Sequence, residues 1–402
     1  MASIQLYAEL LLNIRTVTFF ATLKSEHNHE TKATLSADGE SITVTHEGES
    51  ASIRLPTKIS GGGSAALALP PTPAKELTLR LLLEEKAPGL LRYSDFPDSG
   101  SDNPVPWDAL SLSTETEIKC GKCDNVLIPK GTVREWKDLP SENWADMMDF
   151  WHCHKPDEHH DHSHHDANDA PSRKGYAAGN KLTASSGTGF VDTMYFLLAA
   201  EDCAGAVTNK TLSEPAATFD VLCNQCNMPI GVVDDIAGGY RIFKWAVIVA
   251  HEDESEQNDI QQWISAQLLA AIQNIGVRKF AIQQQGSGKE RPGGLMLWVF
   301  TPDLCFSSSV HHESRHDPTR AMKVFWQHQL DLSRVIERQS TSFEHIELPT
   351  AAYASLEDAL QSNADLLPSS AQRFQDWNVS LLQRFEGSTV REPRNPIDAL
   401  YE

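Results

Sequence analysis

CGKC at residues 120–123 and CNQC at residues 223–226 are the stretches that decide the fold of the middle of this chain. Each places two cysteines at C-x-x-C spacing and is followed, a few residues later, by a proline and a glycine. A C-x-x-C turn can present two thiolates to one ion, and two such turns complete the four-ligand tetrahedron that zinc prefers. The spacing therefore predicts two similar β-hairpin knuckles that share one structural zinc ion. The predicted ligands are Cys120, Cys123, Cys223 and Cys226.

The interval between the two pairs is long for a zinc site. Ninety-nine residues separate Cys123 from Cys223, whereas compact zinc ribbons use intervals of roughly 15–20 residues. Loop closure costs only about 0.6 kcal/mol for each doubling of length, and a structural zinc contributes about 10–16 kcal/mol in small sites. An ion with four protein ligands has no open position for water, so it is predicted to be structural rather than catalytic. Two alternatives stay open: two unrelated buried cysteine pairs, and a redox C-x-x-C pair.

Composition narrows the classes of function. The chain has 402 residues, enough for two or three domains, and its 34 basic and 55 acidic residues give a net charge of −21. Such an acidic chain is a poor candidate for direct binding to nucleic acid, which needs clustered lysine and arginine. No window approaches 18 uninterrupted apolar residues, so we expect no membrane span. The N-terminus lacks the basic start of a secretory signal, so the seven cysteines are expected to stay reduced.

Apolar periodicity divides the chain into three predicted regions, which together indicate the α+β class. Residues 1–95 are predicted to form an antiparallel β domain, because apolar and mostly polar positions alternate in its runs. Residues 117–250 are predicted to be a β-rich, zinc-anchored module with a long disordered, His-rich insertion at about residues 155–185. Residues 251–402 are predicted to be a C-terminal α/β region.

Individual elements are predicted within and between these regions. The apolar run at residues 240–250 indicates one buried strand, and residues 295–300 and 322–326 indicate two more. Apolar spacing over residues 260–272 predicts a helix that faces a core. Residues 92–116 are rich in Ser, Asp and Pro and are predicted to be a linker. A final helix is predicted from a stripe of four residues, Phe374, Trp377, Leu381 and Phe385.

A short helix is also predicted after Pro140, with Ser141 as its N-cap. One face of this helix carries Trp144, Met147, Met148 and Trp151. Such a stripe usually packs in a core, and the alternative is a docking face for a partner protein, since Met and Trp suit adaptable interfaces. The candidates for partner binding are Trp144, Met148 and Trp151.

The sequence WHCH at residues 151–154 ends this helix and precedes a run of histidines at residues 159–165. Three interpretations compete for Cys153: it adds to a metal site with a neighbouring histidine, it is a nucleophile whose pKa the adjacent imidazoles lower, or the cluster is structural. The histidine run is predicted to be a solvated loop. Cys203 has acidic neighbours that disfavour a thiolate, and Cys305 is predicted to be a core residue and is a weaker nucleophile candidate.

LPSENW at residues 139–144, followed by WHCHK at residues 151–155, resembles the signature of the HECT-like ubiquitin-protein ligases, also called ubiquitin-conjugating-enzyme-binding proteins. The flanking C-x-x-C pairs and the late LWVF strand at residues 297–300, followed by three serines, agree with the resemblance, which points to a fungal member. The resemblance implies that the four paired cysteines bind the metal and that Cys153 belongs to the cysteine box of the family. It also implies a HECT-like C-terminal region.

The resemblance further implies a protein that binds a ubiquitin-conjugating enzyme and promotes ubiquitin transfer to substrates such as mitotic cyclins. The resemblance therefore favours a ubiquitin-protein transferase. No cysteine follows Cys305, so the usual C-terminal catalytic cysteine of HECT enzymes is absent, and Cys153 is the candidate catalytic residue in its place. The alternative is a non-catalytic zinc adaptor that maintains a pre-mRNA 3′-end cleavage and polyadenylation factor, a role linked to the fungal branch. Either role implies a cytoplasmic and nuclear location.

Overall fold

The structure is a computed structural model. It describes residues 4–11, 14, 16–59, 65–83, 103–139, 182–209, 220–251, 254–285, 293–311, 315–332 and 343–386. The described residues form two compact units. The first unit takes its residues from both ends of the chain, up to Pro106 and from Asn258 onward, and the second unit comprises Trp107–Gln257.

The elements follow one another along the chain in three groups. The first unit begins with β1 (Ile4–Leu11), β2 (Thr16–Leu23), β3 (Lys32–Leu35), β4 (Ser41–His46), β5 (Glu49–Arg54), β6 (Ala65–Leu67) and β7 (Glu76–Leu82). The second unit contains β8 (Glu117–Cys120), β9 (Val126–Ile128), β10 (Glu135–Asp138), β11 (Thr188–Val191), β12 (Tyr195–Leu198), β13 (Ala206–Thr208), β14 (Asp220–Cys223), β15 (Pro229–Asp234), β16 (Gly239–Phe243), β17 (Val247–His251) and β18 (Glu254–Glu256). The chain then returns to the first unit with α1 (Ile260–Ile275), β19 (Lys279–Gln284), β20 (Gly294–Ser308), β21 (Thr319–Gln329), β22 (Glu344–Leu348), α2 (Thr350–Ser362), β23 (Arg373–Phe374) and β24 (Trp377–Gln383).

The long strand β20 joins the two ends of the chain in one nine-stranded sheet. Its first half pairs with β19 and its second half pairs with β1, where Tyr7 lies opposite Ser308, while β21 follows its other edge. The predicted separation of residues 1–95 from residues 251–402 therefore differs from the observed arrangement. A local alternation pattern carries no information on pairing between strands so far apart in the sequence, so it cannot predict that these two regions share a sheet.

An apolar interior lies between this sheet and a four-stranded sheet of order β5-β4-β3-β6. Every second side chain of β1 points into this interior, because successive side chains of a strand point to opposite faces. The predicted alternation in β1 is confirmed, and its members in this interior are Ile4, Leu6, Ala8 and Leu10. Phe19 of β2 and Val44 of β4 are fully buried in the same cluster.

Helix α1 has a local cap at each end. Asp259 caps it by accepting a hydrogen bond from the backbone N–H of Gln261, the Gln262 side chain completes a capping box, and Gly276 ends it in the left-handed region. The predicted helix over residues 260–272 is confirmed. The helix packs against α2 and β24, and Trp263 is fully buried.

The predicted final helix is wrong, because three of its four stripe residues belong to the hairpin of β23 and β24, and Phe385 follows β24. Phe374 pairs with Trp377 across a turn in which Gln375 has a positive φ of 53°. Strand β24 is buried on both faces from Val379 to Gln383. A short apolar run that is buried on both faces lacks the alternation that separates a strand from a helix, so spacing alone misassigned it.

The second unit contains a seven-stranded sheet of order β10-β11-β12-β16-β15-β14-β13 and a four-stranded sheet of order β18-β17-β8-β9. The apolar run at residues 240–250, predicted to be one strand, forms β16 in the larger sheet and β17 in the smaller one. A single 3₁₀ turn at Lys244–Ala246 separates the two strands. The described part of the predicted linker, residues 103–116, contains the buried Trp107 and Leu112.

The described residues are mostly strand with few helices, in agreement with the β-rich part of the predicted class. The predicted strands at residues 295–300 and 322–326 are confirmed as parts of β20 and β21. No helix among the described residues is long and apolar enough to cross a membrane.

Candidate metal centre

The two C-x-x-C stretches fold as near copies of one another. Each begins at the last residue of a strand, Cys120 of β8 and Cys223 of β14. In the first knuckle the backbone N–H of Asp124 donates to the carbonyl of Cys120 at 3.0 Å, and in the second Asn227 donates to Cys223 at 2.9 Å. Asp124 and Asn227 both have a φ of 56°, a region in which Asp and Asn are enriched among non-glycine residues. The similarity of the two C-x-x-C stretches in sequence therefore reflects a shared backbone conformation.

Backbone N–H groups point at the sulfur atoms of both knuckles. The Cys120 sulfur accepts hydrogen bonds from the N–H groups of Lys122 and Cys123. The Cys223 sulfur accepts them from Gln225 and Cys226. Donors directed at sulfur favour the thiolate, which is the form that binds a metal ion.

Gly205 connects the two knuckles within the second unit. Its N–H donates to the carbonyl of Leu127 in β9 at 3.1 Å, and its carbonyl accepts from the N–H of Asn224 in the second knuckle at 2.9 Å. A Cβ at this position would lie 2.1 Å from the carbonyl oxygen of Val126, so only glycine fits without movement of the backbone. The sequence gives no signal for this role, since a lone glycine between polar and small residues is typical of any loop.

Asn125 adds a side-chain connection between the knuckles. Its Nδ2 donates to the Oδ1 of Asn224 at 2.9 Å and approaches the Sγ of Cys223 at 3.6 Å. The corresponding position of the second knuckle is Met228, whose side chain has no amide group. The connection therefore runs in one direction only, from the first knuckle to the second.

The four sulfur atoms converge on one point. The Cys120 and Cys226 Sγ atoms are 3.7 Å apart, as are those of Cys123 and Cys223, and all four lie within 4.8 Å of one another. A tetrahedral ion with metal–sulfur bonds of about 2.3 Å requires sulfur atoms about 3.8 Å apart, whereas a disulfide requires about 2.0 Å. The two pairs are therefore one cluster that can bind a metal ion, and the alternative of two unrelated pairs is wrong.

Burial and hydrogen bonding give the thiols different acidities. Burial raises the pKa of Cys120 to about 12. Burial acts in the same direction on Cys223, but the N–H groups of Cys226 and Gln225, together with the Cys123 and Asn125 side chains, outweigh it and lower the pKa of Cys223 to about 6. The Cys223 thiol is thus more acidic than the Cys120 thiol, and a bound cation would favour ionisation of both.

The remaining site candidates lie elsewhere. Cys153, Trp144, Met148 and Trp151 lie outside the described residues, as do the predicted helix that carries them and the histidine run at residues 159–165. Cys203 is buried, and burial together with Asp202 and Glu201 raises its pKa to about 12. Cys305 packs against the apolar interior of the first unit, as predicted, and burial and Asp303 raise its pKa to about 11.

Comparisons with known proteins identify the family. The family described as HECT-like ubiquitin-conjugating enzyme (E2)-binding matches residues 9–379. An uncharacterized protein of Saccharomyces cerevisiae is 24% identical over 278 residues, which cover 68% of this chain and 71% of the relative. An uncharacterized protein of Schizosaccharomyces pombe is 25% identical over 299 residues, which cover 71% of this chain and 79% of the relative. No solved structure matches the chain.

The match extends over most of the chain and agrees with the resemblance carried by the LPSENW and WHCHK stretches. It links the chain to a ubiquitin-related function, and the fungal relatives agree with the predicted fungal origin. The chain belongs to the family of HECT-like ubiquitin-conjugating-enzyme-binding proteins.

Proposed function

We propose that this protein binds a ubiquitin-conjugating enzyme and promotes the transfer of ubiquitin to protein substrates, as a ligase or as the cofactor of one. The observation that carries the proposal is the family match over residues 9–379, which includes strands of both units. A ubiquitin-conjugating enzyme carries ubiquitin as a thioester, so the protein has either to accept ubiquitin on its own thiol or to hold the charged enzyme beside the substrate.

The first route needs an accessible thiolate. Four of the seven cysteines of the chain are gathered in the cluster, and burial raises the pKa of both Cys203 and Cys305. Cys153, between His152 and His154, is therefore the candidate nucleophile. Its thiolate would attack the thioester carbonyl, the cysteine thiolate of the conjugating enzyme would leave, and a substrate lysine would then displace Cys153 to form the amide.

We also propose that the cluster binds one zinc ion. The sulfur separations of 3.7 Å suit a tetrahedral zinc–thiolate site, and an all-sulfur donor set favours a soft or borderline ion. When bound, zinc supplies four metal–sulfur bonds between the knuckles and no open coordination position. The residues of the two knuckles therefore have a structural role, and the transfer step is assigned to other residues.

The second candidate function is a scaffold that orients the charged enzyme without accepting ubiquitin. The observation that favours it is the burial of Cys203 and Cys305, the thiols described outside the cluster. An adaptor for a pre-mRNA 3′-end cleavage and polyadenylation factor would be a role of this non-catalytic kind.

A discharge assay tests the proposal and separates its two forms. A conjugating enzyme charged with ubiquitin is incubated with the full-length wild type, Cys153→Ser or Cys305→Ser, and the products are separated without reductant. Ligase chemistry predicts a ubiquitin adduct that dithiothreitol removes, that Cys153→Ser abolishes and that Cys305→Ser retains.

Faster discharge by all three proteins without an adduct would support the scaffold. Neither an adduct nor acceleration, with no binding of the conjugating enzyme, would contradict both forms of the proposed function.

A further inference from the structure

Five aromatic side chains form one connected group on the nine-stranded sheet of the first unit. We name this group the aromatic face, and its members are Trp298, Phe300, Phe325, Phe374 and Trp377. Phe325 of β21 lies at its centre, with Phe300 of β20 stacked on it at 4.9 Å and Phe374 of β23 at 5.2 Å between ring centroids. Trp298 meets Phe300, Phe325 and Trp377 edge to face.

The outer members of this stack are exposed to solvent. Phe300 is 50% exposed and Phe374 is 46% exposed, whereas the central Phe325 is only 5% exposed. Phe300 and Phe374 both contact the buried ring of Phe325, so their exposed parts lie around one ring, and clustered exposed apolar side chains are a feature of interaction sites. The buried ring holds both in fixed positions, so little side-chain entropy would be lost when a partner covers them.

Basic side chains lie beside this apolar surface, although the chain as a whole has a net charge of −21. The Arg278 guanidinium approaches the carbonyl oxygen of Phe300 at 3.5 Å. The Lys279 ammonium lies 5.3 Å from the ring centroid of Trp298 and 5.7 Å from that of Phe343. Neither Arg278 nor Lys279 forms an ion pair with a described residue. Within the part of the chain that the structure describes, no carboxylate neutralises either charge, so both can face carboxylates of a partner.

We propose that the aromatic face is the docking surface for the ubiquitin-conjugating enzyme, which contributes an apolar side chain flanked by carboxylates. The proposal rests on the proposed function and adds the place and the chemistry of the contact. The apolar side chain would cover Phe300 and Phe374, and the carboxylates would face Arg278 and Lys279. Aromatic rings make up the centre of this patch and Arg278 lies at its rim, and tryptophan and arginine are among the residue types enriched at the hot spots of protein interfaces.

The stacking favours a protein over a single-stranded nucleic acid. Nucleobases bind by stacking on free aromatic faces, and here the Phe325 ring already has the rings of Phe300 of β20 and Phe374 of β23 stacked against it. The surface left at Phe300 and Phe374 suits an aliphatic or aromatic side chain of a protein. The net negative charge of the chain also favours a protein partner, because it repels a phosphate backbone.

The test measures the affinity of the full-length protein for a panel of purified recombinant ubiquitin-conjugating enzymes. The enzyme that binds the wild type most tightly is then measured against Phe374→Ser and Arg278→Glu. Phe374→Ser is expected to weaken binding by at least about tenfold, as expected for an interface hot spot. Arg278→Glu is expected to weaken binding several-fold at low salt and to flatten its salt dependence, because a charge at the rim acts mainly through long-range attraction.

Two matched controls separate docking from folding. Leu330 is 92% exposed at the end of β21 and lies outside the aromatic face, and Arg80 is an exposed arginine of β7, at the opposite end of the sheet from β23. Leu330→Ser and Arg80→Glu are expected to bind like the wild type. Arg278→Glu changes an exposed side chain, so it keeps the test decisive even if Phe374→Ser folds poorly.

Wild-type affinity in folded Phe374→Ser and Arg278→Glu would overturn the docking surface and leave the proposed function intact. Failure of every enzyme in the panel to bind the wild type would overturn both. Binding of a fluorescein-labelled oligo(U) RNA that depends on Phe374 would overturn the choice of a protein partner. A wild-type dimer that Phe374→Ser converts to a monomer in sedimentation velocity would identify the aromatic face as a self-association surface and overturn the proposal.

Discussion

The two units of this protein connect their sheets in different ways. In the first unit, side chains of two sheets interleave in a continuous apolar cluster that includes Leu6, Phe19 and Val44. In the second unit, the smaller sheet meets the larger one at the candidate metal centre, where the ends of β8 and β14 bring their cysteines together. Apolar burial spreads stability over many residues, whereas a metal centre concentrates it in four. The comparison therefore predicts opposite responses to metal loss and to cavity formation.

The largest effect is expected from Cys223→Ser, which removes one of the four sulfur ligands. Structural zinc contributes about 10–16 kcal/mol in small sites, so the second unit should lose its metal and its stable fold. Elemental analysis should show about one zinc per chain in the wild type and almost none in the variant. Hydrogen exchange should accelerate in peptides from residues 220–251 and stay slow in peptides from residues 4–23.

Cys305→Ser provides the matched control for this substitution. Cys305 lies against the apolar interior of the first unit and outside the cluster, so its zinc content should equal that of the wild type. Unchanged zinc content and unchanged exchange in Cys223→Ser would show that the four cysteines do not share an ion.

Phe19→Ala should give the converse result. Phe19 is fully buried between the sheets of the first unit, and truncation of a buried phenylalanine typically costs about 3–5 kcal/mol because it leaves a cavity. Urea denaturation should show this loss, while the zinc content stays at the wild-type value. Loss of zinc in Phe19→Ala would show that the two units do not respond independently.

How far the sequence predicts this structure depends on the range of each interaction. The four-cysteine cluster, β1 and α1 are specified by neighbours within a few residues, through C-x-x-C spacing, alternation and apolar spacing, and these predictions are confirmed. The pairing of β1 with β20 and the connection through Gly205 join distant segments, and no local pattern encodes them. The helix predicted from the stripe at residues 374–385 is wrong because burial on both faces of β24 from Val379 to Gln383 removes the alternation of a strand.

Lys244 gives the stability of the second unit a dependence on pH. Its side chain is buried in the second unit, where Nζ donates to the carbonyl of Trp107 at 3.1 Å. Burial lowers the pKa of Lys244 to about 7, although Asp192, Asp138 and Asp108 act in the opposite direction. The unfolded chain therefore binds more protons than the folded chain between pH 7 and the ordinary lysine pKa of 10.5, so stability rises with pH in this window.

From pH 7 to pH 9 this contribution amounts to about 2 kcal/mol. Lys244→Met removes the titrating group. The free energy of unfolding of the second unit should therefore increase between pH 7 and pH 9 by about 2 kcal/mol less in the variant than in the wild type. The measurement is urea denaturation of zinc-saturated protein at both pH values. Equal gains in the two proteins would show that Lys244 keeps its ordinary pKa in the folded state.

Gly205→Ala tests whether the knuckles depend on the backbone connection as well as on the ion. The added Cβ would lie 2.1 Å from the carbonyl oxygen of Val126, so the hydrogen bonds that Gly205 makes to Leu127 and Asn224 have to lengthen. Overpacking of this kind typically costs about 1–3 kcal/mol. Because the four cysteines remain, the variant should still bind one zinc but release it faster to a chelator than the wild type does. Wild-type release rates and stability would mean that the sulfur atoms alone hold the two knuckles together, and complete loss of zinc would mean that the backbone connection is required before the ion can bind.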